Sequence, residues 1–341
     1  MKATARQWAP RGRDAYPFAL LIVAALALFI IAPLNGAVVG TFNVYNILQV
    51  VADYGLVVLA LGLTMIVKEY DISTAGIYAV GGVVAVTVGQ DSPLLGLAAA
   101  IGVGLIAGLV QGGAVAGFAM SSVPVTLGGY ITLIGLARVV SNDKVVPYEN
   151  FDVGARLNAP ILEVFSLRSL IVLAAFVIVA LLMRQTTLGM ELRAVGGDRR
   201  GARIAGVRVN MVLLGTLVAS GVLSSLGGGL AAYGLSTANP NLGLTPLIFA
   251  TIAVLLGGVS LSGGRGSAWG MLAGLAAYAT VRETLAILGT ADWMTNVVTG
   301  ILLLAVTIAT APDLIRMLVT ARSRRRSARG GVTPATQQVP A

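Results

Sequence analysis

The chain has 341 residues, 57% of them hydrophobic and 11% charged, with a mean hydropathy of +0.89; soluble domains carry about 25% charged residues, so this composition excludes a water-solvated globule and makes lipid the solvent. Cysteine and histidine are absent, which excludes disulfides, thiolate nucleophiles, imidazole proton relays and most zinc sites. The net charge of +9 would suit nucleic acid, but its placement along the chain points to a membrane surface.

In chain order, ten apolar stretches are long enough, or nearly so, for a hydrocarbon core about 30 Å thick. They fall at residues 16–34, 46–67, 74–89, 94–120, 123–140, 167–183, 211–235, 245–259, 268–288 and 293–311. Several are short or interrupted by glycine, which leaves room for broken or re-entrant helices. The first follows a basic segment, residues 1–15, as in a signal peptide. Ala32-Pro33-Leu34 after the apolar run is a poor cleavage site, however, so the stretch reads as a retained span. The tail, residues 316–341, is basic, polar and rich in glycine and proline, the composition of a disordered cytoplasmic anchor.

Charge sets the orientation. With an inside N-terminus, the inner pieces hold Lys2, Arg6, Arg11, Arg13, Lys68, the arginines of residues 184–210, Arg265 and the tail arginines. The outer pieces hold only Arg138, Lys144, Arg156 and Arg168. This asymmetry obeys the positive-inside rule. It predicts a multi-pass protein of the bacterial plasma (inner) membrane with both termini cytoplasmic, and it assigns the basic balance to topology and anionic headgroups, not to nucleic acid.

Gly104, Gly108 and Gly112 recur every four residues in the fourth span, Gly113 and Gly117 repeat the spacing, and Gly266, Gly270 and Gly274 do the same at the ninth. Glycines so spaced share a helix face and let two backbones approach closely in lipid; packing within one subunit is the plainer reading and a dimer face the other. Three longer segments break the apolar pattern. Residues 141–166 form an external loop of mixed charge: a cap over the mouth, a docking surface or a connector. Lys68-Glu69-Tyr70-Asp71 either ends a helix at the cytoplasmic face or marks a break inside the protein that lines a polar path.

The third is the internal loop, residues 184–210. Asp198 suits a helix N-cap there, residues 199–205 can form about two turns, and Gly206 can end them. Such a helix either docks on another protein or rests on lipid headgroups. Further on, GGVSLSGGRGSAWG at 257–270 is a hinge between two apolar runs, with Gly257, Gly258, Ser262, Gly263, Gly264 and Gly266 as its structural residues and positive φ expected at Gly263 and Gly264. Arg282 and Glu283 fall inside the ninth span, where an arginine at the helix centre costs about 2.5–3.5 kcal/mol. As chain neighbours they do not face each other. Each therefore needs its own partner, on a transport path or among the outer headgroups.

LRAVGGDRRGARIAGVRVN (192–210), ASGVLSSLGGGLAAY (219–233), STANPNLG (236–243) and IAVLLGGVSLSGGRGSAWGMLAG (252–274), preceded by YGLVVLALGLTMIVKEYDISTAGIYAVGG (54–82), form an ordered series. That series resembles the permease subunit of carbohydrate ATP-binding-cassette importers of the ribose/xylose/galactose type, over about residues 46–311. The resemblance implies an all-α polytopic permease of about ten transmembrane helices, with the permease domain at 16–315. Its implied partners are ATP-binding-cassette ATPase subunits, an external solute-binding protein and a second permease subunit, identical or related. It also implies that Ala194, Gly196, Gly197, Asp198, Ala202, Arg203 and Gly206 couple to the ATPase. The candidates for the translocation path are Asp71, Ser73, Gln111, Asn239, Asn241 and Glu283. The chain departs from the family pattern at four places. Asn-Pro-Glu is Asp198-Arg199-Arg200 here, and Gly-Gly-Ile-Asp-Leu-Ser is Lys68-Glu69-Tyr70-Asp71-Ile72-Ser73. An acidic pair is replaced by Leu247 and Phe249, and Asn-Asn-Gly by Arg282-Glu283-Thr284.

No lysine follows a glycine anywhere in the chain, so no Walker-type loop cradles ATP phosphates. The chain is therefore expected not to be an enzyme; ATP and Mg2+ belong to a separate ATPase, and no cofactor or metal is expected on this chain. The rival reading is an ion-coupled secondary transporter, or a channel, for a small polar solute. That class often uses membrane-embedded acids, and the acids so placed are Asp71 and Glu283. An intramembrane enzyme is the weakest reading, for want of any His, Cys or Asp-rich metal motif.

Overall fold

The structure, a computed structural model, describes residues 15–310. The N-terminal segment before residue 15 and the tail expected over 316–341 lie outside the described residues. The helices are α1 (Tyr16–Leu34), α2 (Thr41–Ile66), α3 (Ser73–Val88), α4 (Pro93–Gly112, continued by a π turn at Gly113–Gly117), α5 (Ser122–Ser141), α6 (Phe151–Asn158), α7 (Leu167–Gln185), α8 (Thr187–Gly197), α9 (Arg199–Ile204), α10 (Val209–Leu235), α11 (Thr245–Leu256), α12 (Ala268–Ile287) and α13 (Asp292–Thr310). Two short strands, β1 (Val146–Pro147) and β2 (Thr237–Ala238), pair antiparallel.

The expected all-α polytopic architecture is what forms, and each of the ten apolar stretches coincides with a helix. By length and composition α1, α2, α4 with its π turn, α5, α7 and α10 can cross a membrane; α3, α11 and α13 contain shorter apolar stretches. In α12 the pair Arg282 and Glu283 lowers the mean hydropathy. Large apolar side chains stay exposed along α1 (Ile22, Val23, Leu26, Phe29), α4 (Ile106, Val110), α5 (Ile131, Val139) and α13 (Ile301, Leu304). In water so wide an apolar surface would be an interaction or aggregation site. Facing hydrocarbon, it is the outside of the bundle.

The centre is α2. Leu56, Val57, Val58, Leu59, Ala60 and Leu61 are almost wholly buried, enclosed by α7, α10, α11 and α12. Helix α10 packs along α3 and α4 as well. In lipid the hydrophobic effect does not draw helices together, so close backbone approach has to. Here it does: a side chain at Gly221 of α10 would collide with the Gly104 carbonyl, and Gly108 and Gly112 meet Val218 and Leu214. The glycine series of α4 thus packs inside the subunit. Gly113 and Gly117 meet nothing, while Gly270 and Gly274 bring α12 against Gly257 and Ala253.

The loop at 141–166 is a folded cap. β1 ties it to β2, Ile161 and Phe165 form a bridge, and α6 packs on α10 and α7. The buried Tyr148 hydroxyl donates to the Gly89 carbonyl at 3.1 Å; burial pushes its phenol up, which keeps it a neutral donor. At the opposite end of the bundle the internal loop is more helical than expected: α7 reaches Gln185 and α8 follows at once. The α2–α3 turn and the 257–270 hinge lie at this same end, against α8 and α9.

Candidate coupling site and translocation path

The α9 helix forms as its sequence requires. The Asp198 carboxylate accepts from the Arg200 amide at 2.9 Å, and Gly206 stops the chain at φ 85°. On its inner side Ala202 packs with Val195, Val67, Ala116, Val209 and Leu213. Ala202 therefore faces the permease. Arg200, Arg203, Ile204 and Ala205 are exposed, with Ile204 81% so. Ile204 is the lone large apolar residue in a helix otherwise of arginine, glycine and alanine. Ala194 and Gly197 are exposed, whereas Gly196 is buried where any side chain would strike the Ile66 carbonyl.

That same carbonyl accepts from the Gly264 amide at 2.8 Å. Gly196 of the internal loop and Gly264 of the hinge, 68 positions apart in the chain, thus meet at the end of α2. Gly263 and Gly264 adopt φ 78° and 74°, as expected. Gly257 abuts the Gly270 carbonyl, Gly258 has φ 76°, Gly266 lies against Ile66, and the Ser262 hydroxyl pairs with Ser260 at 2.9 Å.

Residues 67–72 form the turn between α2 and α3, with Val67, Glu69 and Asp71 buried. Lys68, where the family pattern has glycine, is exposed and turns the chain at φ 65°. Glu69 is buried and forms an ion pair with Arg199, the first residue of α9; Arg199 also donates to the Val67 carbonyl at 3.4 Å. The Tyr70 hydroxyl bonds Thr251 of α11 at 2.7 Å. Thr126 of α5 accepts from the Ile72 amide at 3.1 Å and donates to the Tyr70 carbonyl at 3.3 Å. Asp71, 1% exposed, accepts from the Ser73 amide at 3.0 Å, the Ser73 hydroxyl at 2.5 Å and the Ser220 hydroxyl of α10 at 2.7 Å. The turn is therefore tied to α5, α9, α10 and α11 at once. Beside it lies a cavity of about 210 Å³ lined by Met65, Lys68, Glu69, Tyr70 and Leu261.

Of the path candidates, the fold brings Asp71 and Ser73 together and leaves the others elsewhere. Gln111 is buried on α4 with its amide beside Gly129, its Oε1 without a hydrogen-bond partner among the described residues. Asn239 and Asn241 are exposed in the cap, where Asn241 donates to Asp143 at 3.4 Å. Glu283 accepts from Asn43 at 3.0 Å and Asn46 at 3.1 Å.

A polar stripe on α2 escaped the sequence reading. Asn43, Asn46, Gln49 and Asp53 recur at helical spacing along one side of it. Arg168 donates to Asp53 at 2.6 Å, Gln49 at 2.8 Å and Asn158 at 2.9 Å. Arg282 lies over the Phe249 ring at 5.0 Å; Phe249 in turn packs against Tyr54 and Tyr278. Arg282 and Glu283 thus have separate partners within the protein. Polar residues at 46, 49 and 53 in an apolar span were the available signal.

Apolar helices around a buried, hydrogen-bonded polar interior define a multi-pass membrane permease. The chain belongs to the family described as branched-chain amino acid transport system / permease component, whose profile matches residues 43–307. It is 32% identical over 270 residues to the L-arabinose ABC transporter permease protein of Azospirillum brasilense, covering 77% of this chain and 78% of the relative. It is 30% identical over 307 residues to the fructose import permease protein of Rhizobium meliloti (85% and 83%) and 28% identical over 288 residues to the ribose import permease protein of Bacillus subtilis (82% and 88%). No solved structure matches.

Proposed function

We propose that this chain is the membrane-spanning permease subunit of an ATP-driven importer for a sugar or related polyol. The observation that carries the reading is α9: a capped helix outside the apolar spans, its inner side packed on the permease and Arg200, Arg203 and Ile204 left free. The relatives named for arabinose, fructose and ribose import support the cargo class. In this reading α9 meets a separate ATP-binding-cassette ATPase that holds ATP and Mg2+, a solute-binding protein delivers cargo at the cap, and a second permease subunit completes the assembly. The test is uptake of labelled pentoses and hexoses by the assembled importer in sealed vesicles. ATP is expected to drive accumulation with no ion gradient present. Accumulation driven by a proton or sodium gradient without ATP would make the protein a secondary transporter.

The same reading puts α9 and both termini in the cytoplasm and the cap outside. The absence of cysteine makes labelling clean. A cysteine replacing Leu162, 82% exposed in the cap, should react with a membrane-impermeant maleimide on intact cells, and one replacing Ile204 only after permeabilisation. The opposite pattern inverts the topology.

A further inference from the structure

We propose that the Glu69–Arg199 ion pair is the point at which the coupling helix grips the translocation path, so that these two side chains are positioning residues for energy coupling. The proposal rests on the reading that α9 meets an ATPase.

A carboxylate removed from water keeps its charge only with a partner. The Glu69 side chain is 7% exposed, and its ion-pair partner is Arg199. Arg199 itself is 43% exposed, so the pair runs from the protein interior to the surface of α9. Each partner stands at a fixed place in its own element. Arg199 directly follows the N-cap Asp198, so its position shifts with the helix as a rigid end. Glu69 lies in the turn that separates α2 from α3, two residues before Asp71 and its bond to Ser220 of α10. Tyr70 between them bonds α11 through Thr251, and Thr126 holds the turn to α5. A displacement of α9 therefore reaches three core helices, α5, α10 and α11, through one short segment.

The remaining contacts of α8 and α9 with this segment involve no buried charge. Arg199 donates to the Val67 carbonyl at 3.4 Å and Ala202 packs with Val67, while Gly196 at the end of α8 leaves no room for a side chain beside the Ile66 carbonyl, which takes the Gly264 amide. Such contacts transmit a push. The ion pair resists a pull most strongly, because separating it leaves a buried charge unpaired. The cavity lined by Met65, Lys68, Glu69, Tyr70 and Leu261 lies immediately beside the pair. When α9 draws Arg199 outward, Glu69 follows, the turn leaves Thr251 and Thr126, and this cavity extends toward the interior. When α9 returns, the turn reseats. The pair thus links the ATPase-facing helix to the inner end of the path without itself touching cargo.

The test uses the assembled importer in sealed vesicles, with ATP hydrolysis and solute uptake measured on the same preparation. Glu69→Gln preserves shape and removes the charge. Permease abundance and ATP hydrolysis should stay near wild type while solute moved per ATP falls about tenfold, within the 5- to 150-fold span typical of coupling between sites. Arg199→Glu should behave likewise. The exchanged pair Glu69→Arg with Arg199→Glu should recover transport per ATP relative to either single reversal, which a merely structural loss would not do. Wild-type transport per ATP in Glu69→Gln overturns the proposal, and so does a parallel fall of abundance, hydrolysis and uptake that the exchange fails to relieve. Failure of the underlying reading looks different: Ile204→Asp would then leave the ATPase bound.

Discussion

Gly264→Val should leave little folded permease in the membrane, a loss visible as abundance and not only as slower transport. Gly264 holds φ 74° and donates its amide to the Ile66 carbonyl at 2.8 Å. A left-handed backbone costs an ordinary residue roughly 1–2 kcal/mol, and a β-branched one is a true outlier there. The new Cβ would also sit 3.0 Å from the Gly197 Cα and 3.1 Å from its amide nitrogen, backbone that yields only by moving α8 away from the end of α2. Overpacking of that kind costs about 1–3 kcal/mol more. Against a total stability of about 5–15 kcal/mol for a typical protein, the sum is large. Gly135→Ala on α5 is the control, because nothing approaches that position within 4 Å. Detergent-extracted protein should run as a monodisperse peak for Gly135→Ala and be depleted or aggregated for Gly264→Val. Equal yields of the two would show that the hinge accepts a side chain.

The contrast with the α2 stripe explains which parts of this protein were legible in its sequence. Apolar stretches announce themselves by composition, because lipid allows no unpaired backbone, and among the described residues each of the ten falls on a helix, six of them long and apolar enough to span. Gly263 and Gly264 were legible because glycine pairs in a tight turn have few other uses. Asp198 and Gly206 marked the ends of α9 because caps and stops are local chemistry. What stayed hidden depends on which elements touch. Nothing in the sequence puts Glu69 beside Arg199, 130 positions away, or Asp71 beside Ser220. Likewise Phe249 and Arg282, each a departure from the family pattern on its own, are in contact, and only the fold joins them. The orientation of Ala202 was hidden for the same reason: a small residue on a short helix faces a partner or the protein's own core with equal ease, and Val195 and Val209 bury it.

That orientation determines how docking on α9 has to be tested. Ala202→Trp would crowd Val67, Val195 and Leu213 within the permease and damage abundance whether or not an ATPase binds. Ile204→Asp is the informative change. Ile204 is 81% exposed on α9, between the exposed Arg203 and Ala205, and a substitution on such a surface normally alters stability by less than about 0.5 kcal/mol. The permease should therefore insert and purify at normal yield. If α9 is the docking element, a buried apolar anchor becomes a charge at the centre of the contact. Anchors of this kind are worth about 2 kcal/mol or more, which is roughly a thirtyfold loss of affinity. Co-purification of the ATPase should collapse, and ATP-driven uptake with it, while Ile204→Leu keeps both. A helix that only rests on lipid headgroups predicts another result: the aspartate would loosen α9 from an anionic surface, the ATPase would remain bound, and uptake would hold. Retention of ATPase and transport by Ile204→Asp would return the coupling role to some other surface of the permease.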